Sequence, residues 1–297
     1  MIYTEMVDDF KSHLSAGDNF FGGEEIWRRL DTAGRFLLRE IIQKDPTFFI
    51  ARTNISLVAD QALYDLPQNA RHGTRIFMVE DLGTDAKTDW PYARLKEALA
   101  FDAGPLLSQT STFRFAMEND QIRCMPTPSQ AKTNAATIWY VPTLGSMIQG
   151  TASAGTSTSL TSFTSDPNWT SNFGKIDLRD DYYNGMHLYI YDGTGLGQRR
   201  EITDYASRVF TVDTWTTTPD TTSKFCVLSP VPEDFHSTQS THASMVGAIK
   251  NRNRFRELRR QFYGTVSEPG ELKEMLQWIS SRQYSKPDQV IPVDLGE

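Results

Sequence analysis

Five histidines, His13, His72, His187, His236 and His242, are the side chains best suited to acid–base work near neutral pH or to holding a transition metal. None falls in an HExxH arrangement. His236 and His242 stand six apart, not the three or four that put two ligands on one helix face. They read as solvated or hydrogen-bonded side chains. Gly193-Thr194-Gly195-Leu196-Gly197 has the glycine density of a phosphate loop, which needs a strand before it and a helix N-terminus after it. The following Gln198-Arg199-Arg200-Glu201-Ile202-Thr203 reads as strand, and no Lys-Ser/Thr pair follows, so the run predicts a hairpin turn. Asp177, Asp180 and Asp181 crowd one segment and Asp8-Asp9 another. Neither has EF-hand spacing, and neither shows a carboxylate pair across a cleft, so both read as solvated. No catalytic residue, cofactor site or metal site emerges, and the chain is read as non-enzymatic.

One charge feature stands apart. Lys250, Arg252, Arg254, Arg256, Arg259 and Arg260 face a single acid, Glu257, over eleven positions, and the stretch after Gly264 turns net acidic. Three uses fit such a run: a solvated helix face, a contact with an acidic neighbouring subunit, or direct DNA contact. The lack of interleaved aromatics and the overall acidity make DNA contact the weakest of the three.

The elements that position these residues change character along the chain. Ile2, Met6, Phe10 and Leu14 recur at fours and predict a first helix. After breaks at Gly17-Asp18-Asn19 and Gly22-Gly23, Ile26, Leu30, Ala33, Leu37 and Ile41 form the stripe of a second helix. Glu24 and Glu25 open it, Lys44 closes it, and Asp45-Pro46 ends it. Residues 48–58, 75–80, 112–118, 121–125 and 136–142 carry strand composition, and 91–101 reads as a short helix. The whole of 45–148 is thus read as one antiparallel sheet with a helix beside it. Residues 151–172 hold 12 Ser or Thr in 22 positions and read as a linker or an irregular lead-in to a domain. Strands are predicted again at 187–191, 199–205, 209–212 and 224–228. From about 234 to 262 one helix is expected, with an intermittent stripe of Met245, Val246, Ile249, Leu258 and Phe262 stopped by Gly264. Another is expected over 269–282, with Met275, Leu276 and Ile279 on one side and an extended tail beyond.

Composition bounds the rest. The chain has 297 residues, 39% hydrophobic and 23% charged, with a net charge of -7. It can bury real cores, and it lacks the concentrated basic surface of a protein built to grip phosphate backbones. No apolar run approaches the ~18–20 residues of a membrane span, and the opening Met1–Met6 lacks the features of a signal peptide. Cys124 and Cys226 are too few for a disulfide scaffold or a Cys-based zinc site, and read as two buried free thiols rather than a pair.

Ala62-Leu63-Tyr64-Asp65-Leu66-Pro67 leading into Arg75-Ile76-Phe77-Met78-Val79 resembles the turn and β segment that follow the helical hairpin in head-to-tail adaptor (connector) proteins of tailed phages. Gln121–Pro128 continuing to Ile138-Trp139-Tyr140-Val141-Pro142 is similar to their two strands around a "P-x-P" break. Val231-Pro232-Glu233-Asp234-Phe235 resembles the return into a long helix. The resemblance covers roughly 1–148 and 229–282 and rests on the order of these pieces. Between them, Asp181–Met186, Gly193–Gln198, Ile202–Tyr205 and Trp215–Asp220 resemble a β module inserted in phage structural proteins.

The resemblance implies an α+β fold: a helical adaptor core at 1–148 and 229–283, with an antiparallel sheet, an inserted all-β domain at 149–228 of barrel or sandwich type, and an extended tail at 284–297. It implies a non-enzymatic virion protein at the head–tail neck, made in the host cytoplasm, without membrane contact or cofactor. Its partners would be a portal protein, neighbouring subunits in a homo-oligomeric ring (twelve, as such adaptors normally form) and a downstream neck or tail protein. Viral DNA would pass through the ring without specific contact. The C-terminal segment would dock on the portal through Met275, Leu276, Trp278, Ile279 and Tyr284. Lys250, Arg252, Arg254, Arg256, Arg259 and Arg260 would serve inter-subunit contacts or the channel charge. The alternative is a glycan-binding tail or receptor-binding protein, with Trp169, Tyr182, Tyr183 or Trp215 of the β module stacking on sugars.

Overall fold

The structure is a computed structural model that describes residues 3–14, 21–45, 48–67, 69–70, 77–81, 87–90, 92, 114–119, 121–143, 145–162, 176–250 and 252–283. It is a mixed α+β architecture, with helices at both ends of the chain and β structure between them. Two compact units divide it: Met1–Phe48 with Gly145–Leu178 and Tyr183–Glu297, and Phe49–Leu144 with Arg179–Tyr182. Apart from Tyr92, which bridges Phe115, the expected helix at 91–101 lies outside the described residues, as does the tail at 284–297.

In the first unit, α1 (Tyr3–Leu14) and α2 (Gly23–Lys44) follow their apolar spacing. Met6 and Phe10 of α1, and Ile26, Leu30, Ala33, Leu37 and Ile41 of α2, are all buried. The Asp45 N–H bonds the Ile41 carbonyl at 2.7 Å as Asp45 turns to extended backbone, which closes α2 where Asp45-Pro46 predicts it. Both helices pack on α3 (His236–Gly247), and α4 (Arg252–Tyr263) and α5 (Glu271–Gln283) complete the helical part.

The single helix expected over 234–262 is instead broken. A 3-10 turn at Glu233–Phe235 precedes α3, and another at Ala248–Lys250 separates it from α4. The expected stripe fails at this break: Ile249 is exposed, and what α3 buries is mostly Ser, Thr, Gln and His. Gly264, at φ +83, does stop α4, with its N–H on the Arg260 carbonyl at 2.7 Å.

The same unit contains a closed six-stranded barrel in the order β10-β11-β12-β9-β8-β13. Its strands are β8 (Ile148–Thr156), β9 (Ser159–Ser162), β10 (His187–Asp192), β11 (Arg199–Ala206), β12 (Val209–Val212) and β13 (Lys224–Val227). The Ser/Thr-rich stretch is therefore no linker through residue 162, because it supplies two barrel strands; residues 163–175 lie outside the described residues. On β8 the buried positions are Ile148, Gly150 and Ala152, alternating with partly exposed Gln149, Thr151 and Ser153. Small residues point inward because large ones face them: Gly150 pairs with Phe225, and a Cβ on Gly150 would sit 2.9 Å from the Phe225 Cζ. Aromatic rings fill the interior, with Tyr183 and Tyr205 edge-to-face at 4.7 Å and Phe210 packed against both.

The second unit holds two antiparallel sheets, not the single sheet expected. One runs β1-β7-β3-β4 and the other β2-β6-β5. Their strands are β1 (Ala51–Leu57), β2 (Leu63–Asp65), β3 (Phe77–Asp81), β4 (Lys87–Trp90), β5 (Arg114–Glu118), β6 (Gln121–Met125) and β7 (Lys132–Tyr140). The chain leaves the first sheet after β1, through Asp60 at φ +62. The Tyr64 hydroxyl locks that turn, donating to the Gln61 carbonyl at 2.9 Å and accepting the Val58 N–H at 3.0 Å. β2 thereby pairs with β6 instead of β1. Ile55, Leu57, Ala136 and Ile138 from one sheet and Tyr64, Phe115, Ile122 and Cys124 from the other form one core. Cys124 and Cys226 are both free and buried, and burial pushes the Cys124 thiol up to about 12.

Candidate functional site

Helix α3 organises the helical part although its sequence carries no clear apolar face. Ala243 joins Met6, Phe10, Ile26, Leu30 and Ala33 in one cluster, and polar neighbours satisfy one another around it. Ser240 donates to the Met6 carbonyl of α1 at 3.4 Å, while Ser244 donates to the Ser240 carbonyl of its own helix at 2.7 Å and lies 3.4 Å from the Phe10 carbonyl of α1. Gln239 donates to the Leu30 carbonyl of α2 at 2.8 Å and accepts from Ser229 at 2.7 Å. Thr241 reaches Glu271 of α5 at 3.3 Å, and Gln261 of α4 reaches the same carboxylate oxygen at 2.6 Å. Short side chains let the helices approach closely, and their hydrogen bonds offset the cost of burying them.

The two histidines of α3 differ. His236 is buried with Nε2 2.9 Å from the Val231 carbonyl, a satisfied core histidine. His242 is instead largely buried between aromatic rings, which narrows the expectation of a solvated or hydrogen-bonded side chain. Its ring stacks on Phe36 at 4.5 Å and 7° and lies 4.9 Å from Phe262; it is 8% exposed, and its Nδ1 is buried without a partner. Burial pushes the imidazole down to about 4, so it is neutral at pH 7. His242 also lines a groove of about 570 Å³ with Val246 of α3 and Gly22, Glu25, Arg28, Arg29, Thr32 and Ala33 at and beyond the start of α2.

The basic run divides into anchored and outward-facing members. Arg254 donates from Nε to the His13 carbonyl of α1 and from Nη1 to Glu257 at 3.0 Å, so it joins two helices. Arg256, Arg259 and Arg260 are exposed and, among the described residues, make no ion pair. Their i, i+3, i+4 spacing puts them on one face of α4, while Leu258 and Phe262 are buried against the helical core. Lys250 ends the 3-10 turn and Arg252 begins α4, but their side chains lie outside the described residues.

Of the C-terminal docking candidates, Met275 and Ile279 are 0% exposed and hold α5 to the core. Leu276 is half-buried. Trp278 is 37% exposed and lies edge-to-face on Phe235 at 5.3 Å. Tyr284 lies outside the described residues. Of these candidates, among the described residues, α5 offers Trp278 and, in part, Leu276 to a partner.

No known family model matches this chain, and no curated protein matches it. Its chemistry has to be read from its own geometry. Gly193, Gly195 and Gly197 all take positive φ, from +79 to +86, in the turn joining β10 to β11, as the hairpin reading predicts. Tyr182, Tyr183 and Trp215 are buried, so they offer no open ring face for a sugar; Trp169 lies outside the described residues. Among the described residues, no group of three or more His, Cys, Asp or Glu side chains is placed to hold a metal, and no helix is long and apolar enough to cross a membrane.

Sequence reasoning missed the groove. Its donors come from adjacent turns of α2 and from a helix 200 positions downstream, so no local spacing displays them. The available signal was the pair Arg28-Arg29 on a helix whose opposite face is apolar.

Proposed function

We propose that the protein is a structural virion component, a head-to-tail adaptor that assembles as a ring beneath the portal of a tailed phage and joins it to the next neck or tail protein. The observation that carries this reading is the row of Arg256, Arg259 and Arg260 on α4, exposed and without ion pairs among the described residues. Like charges three and four apart cost a helix roughly 0.2–0.5 kcal/mol per pair. An acidic surface on a partner would reverse that cost. The chain itself, with 37 acidic against 30 basic residues, offers acidic surface in a second copy. A contact between two different patches on successive copies closes into a ring when the rotation permits. The exposed Trp278 on α5 supports docking of the C-terminal helix on the portal, since aromatic anchors dominate such contacts. Net acidity suits a channel through which DNA slides without being held.

Mixing the purified protein with its portal and imaging the product by electron microscopy tests this reading. The expected result is a closed ring seated under the portal, with attachment weakened when residues 284–297 are deleted. A protein that stays monomeric beside an intact portal, and binds none of it, overturns the proposal.

A further inference from the structure

The outward face of α4 carries more than its arginines. Arg256, Arg259, Arg260 and Tyr263 stand three and four positions apart, so the four share one side of the helix. All are exposed, and Tyr263 keeps 47% of its surface although its ring meets Phe262 edge-on. The loop that follows is closed by its own hydrogen bonds. Thr265 donates its N–H to the Glu268 carbonyl at 2.9 Å, its Oγ1 accepts the Glu268 N–H at 3.1 Å, and Gly264 bridges Pro269. A Cβ on Gly264 would sit 2.4 Å from the Gly270 N, so the two arms of the loop touch. Within this loop Val266 is fully exposed.

Three guanidinium groups without ion pairs among the described residues thus lead to two exposed apolar side chains. Guanidinium forks match carboxylates, and an apolar side chain on an ordered loop loses little freedom when it is covered. The complement is an extended segment that mixes acids with branched apolar residues and carries no base. Residues 287–297 have that composition: Asp288, Asp294 and Glu297 stand among Val290, Ile291, Val293 and Leu295. They follow α5 after Tyr284, Ser285 and Lys286, and α5 packs on α4. Fully extended, residues 284–297 reach about 46 Å. The whole of α4 is about 18 Å long, so the segment is long enough to lie back over its own helix.

We propose that in the free chain residues 287–297 dock on this face of their own α4, with carboxylates on Arg256, Arg259 and Arg260 and branched side chains on Tyr263 and Val266. Pro287 and Pro292 favour the polyproline conformation, whose three-residue period aligns Asp288, Ile291, Asp294 and Glu297 on one edge. That preference also lowers the entropy lost on docking. The chain's nearer acids are poorer competitors: Glu257 is engaged by Arg254, and the Glu268 backbone is tied into the loop. The docked segment covers the face that a neighbouring subunit needs, so it holds the free chain back from assembly until a partner takes the segment up. This consequence rests on the adaptor reading, whereas the docking itself does not.

Cys124 and Cys226 are both buried, so a nitroxide on Val293→Cys in the full chain marks one site. NMR of this labelled protein, dilute and without portal, tests the docking. The amide signals of Arg256, Arg259, Arg260, Tyr263 and Val266 should lose most of their intensity at low salt. They should regain it in about 0.5 M sodium chloride, where exposed charges are screened. Asp288→Lys together with Asp294→Lys should restore the signals as well, and both changes lie beyond α5, so helix packing is untouched. A mixture of unlabelled isotope-enriched chain with labelled unenriched chain separates a chain's own segment from a neighbour's. Signals on α4 that stay sharp at low salt overturn the proposal. So does broadening that survives the lysine changes, or that the mixture reproduces in full. Portal imaging is independent of all these outcomes: a docked segment on a chain that forms no ring would remove only the consequence for assembly.

Discussion

His242 makes the stability of the helical unit depend on acid in a way that a single substitution can isolate. In the folded chain its imidazole titrates at about 4 instead of the ordinary 6.5, because burial disfavours the charged form. Above pH 6.5 both states are neutral and the residue adds no pH dependence. As pH falls from 6.5 towards 4 the unfolded chain takes up the proton and the folded chain does not, so stability is lost through that window. Below 4 both states are charged and the loss levels off. The gap between the two values corresponds to about 3 kcal/mol, of which roughly 2.5 kcal/mol has gone by pH 4.5. His242→Phe keeps a ring between Phe36 and Phe262 and leaves nothing to titrate. Urea denaturation of both proteins at intervals from pH 7.5 to 4.5 should show the variant gaining on the parent by about 2 kcal/mol or more at the acid end. Carboxylates elsewhere titrate in both proteins and cancel in the difference. Parallel stability curves over this range would show that His242 is solvated or paired in solution, and would refute the reasoning.

Three further outcomes follow from particular contacts. Gly34→Ala, normally worth about 1 kcal/mol in favour of a helix, should instead destabilise by about 1–3 kcal/mol, because its Cβ would sit 2.7 Å from the Gln239 Nε2 that Leu30 and Ser229 hold in place; a raised melting temperature would contradict this. Gly150→Ala should cost a similar amount, about 1–3 kcal/mol by overpacking, since the added methyl meets the Phe225 ring inside the barrel; calorimetry reads it directly. Reversing Arg256, Arg259 and Arg260 to Glu should leave thermal stability nearly unchanged while abolishing ring assembly measured by native mass spectrometry, and raised salt should weaken the parent ring in the same direction. Assembly that survives the reversal would move the subunit contact off α4.

How legible each element was depended on what its core-facing residues had to be. In α2 the inward positions are Ile26, Leu30, Ala33, Leu37 and Ile41, all large or apolar enough to mark their period, and the helix was readable to within a residue or two. The hairpin at Gly193–Gly197 was equally plain, because the strand that follows it excludes the helix a phosphate loop needs. The β8–β9 hairpin hides for the opposite reason. Phe225 supplies the volume, so the position across from it on β8 is Gly150. An inward Gly-Ala set alternating with outward Gln, Thr and Ser has a strand's period but no contrast in hydrophobicity. The split of one expected sheet into two turns on Tyr64, whose hydroxyl locks the Val58–Gln61 turn, a contact made by geometry and not by composition. Of the candidate site, the basic character of α4 was visible, whereas the division between anchored Arg254 and outward Arg256, Arg259 and Arg260 needed the tertiary contact to His13.

The arginine face of α4 has its cause in α3. A helix buried on an apolar stripe leaves its polar face to water, but α3 is enclosed by α1, α2, α4 and α5 and spends its Ser, Thr and Gln side chains on the carbonyls and carboxylates of those neighbours. Such a network specifies one packing arrangement, because each donor must find its own acceptor or remain buried and unsatisfied. His242 is the member of this helix with a buried ring nitrogen that finds no partner among the described residues. On α4 the same enclosure fixes which face is left over. Once Leu258 and Phe262 are committed to the core and Arg254 to α1, Arg256, Arg259 and Arg260 are left on the outward face beside Glu257 and Gln261. Disrupting α3 should therefore displace the arginine face of α4, whereas substitutions within that face should leave the packing of α3 intact.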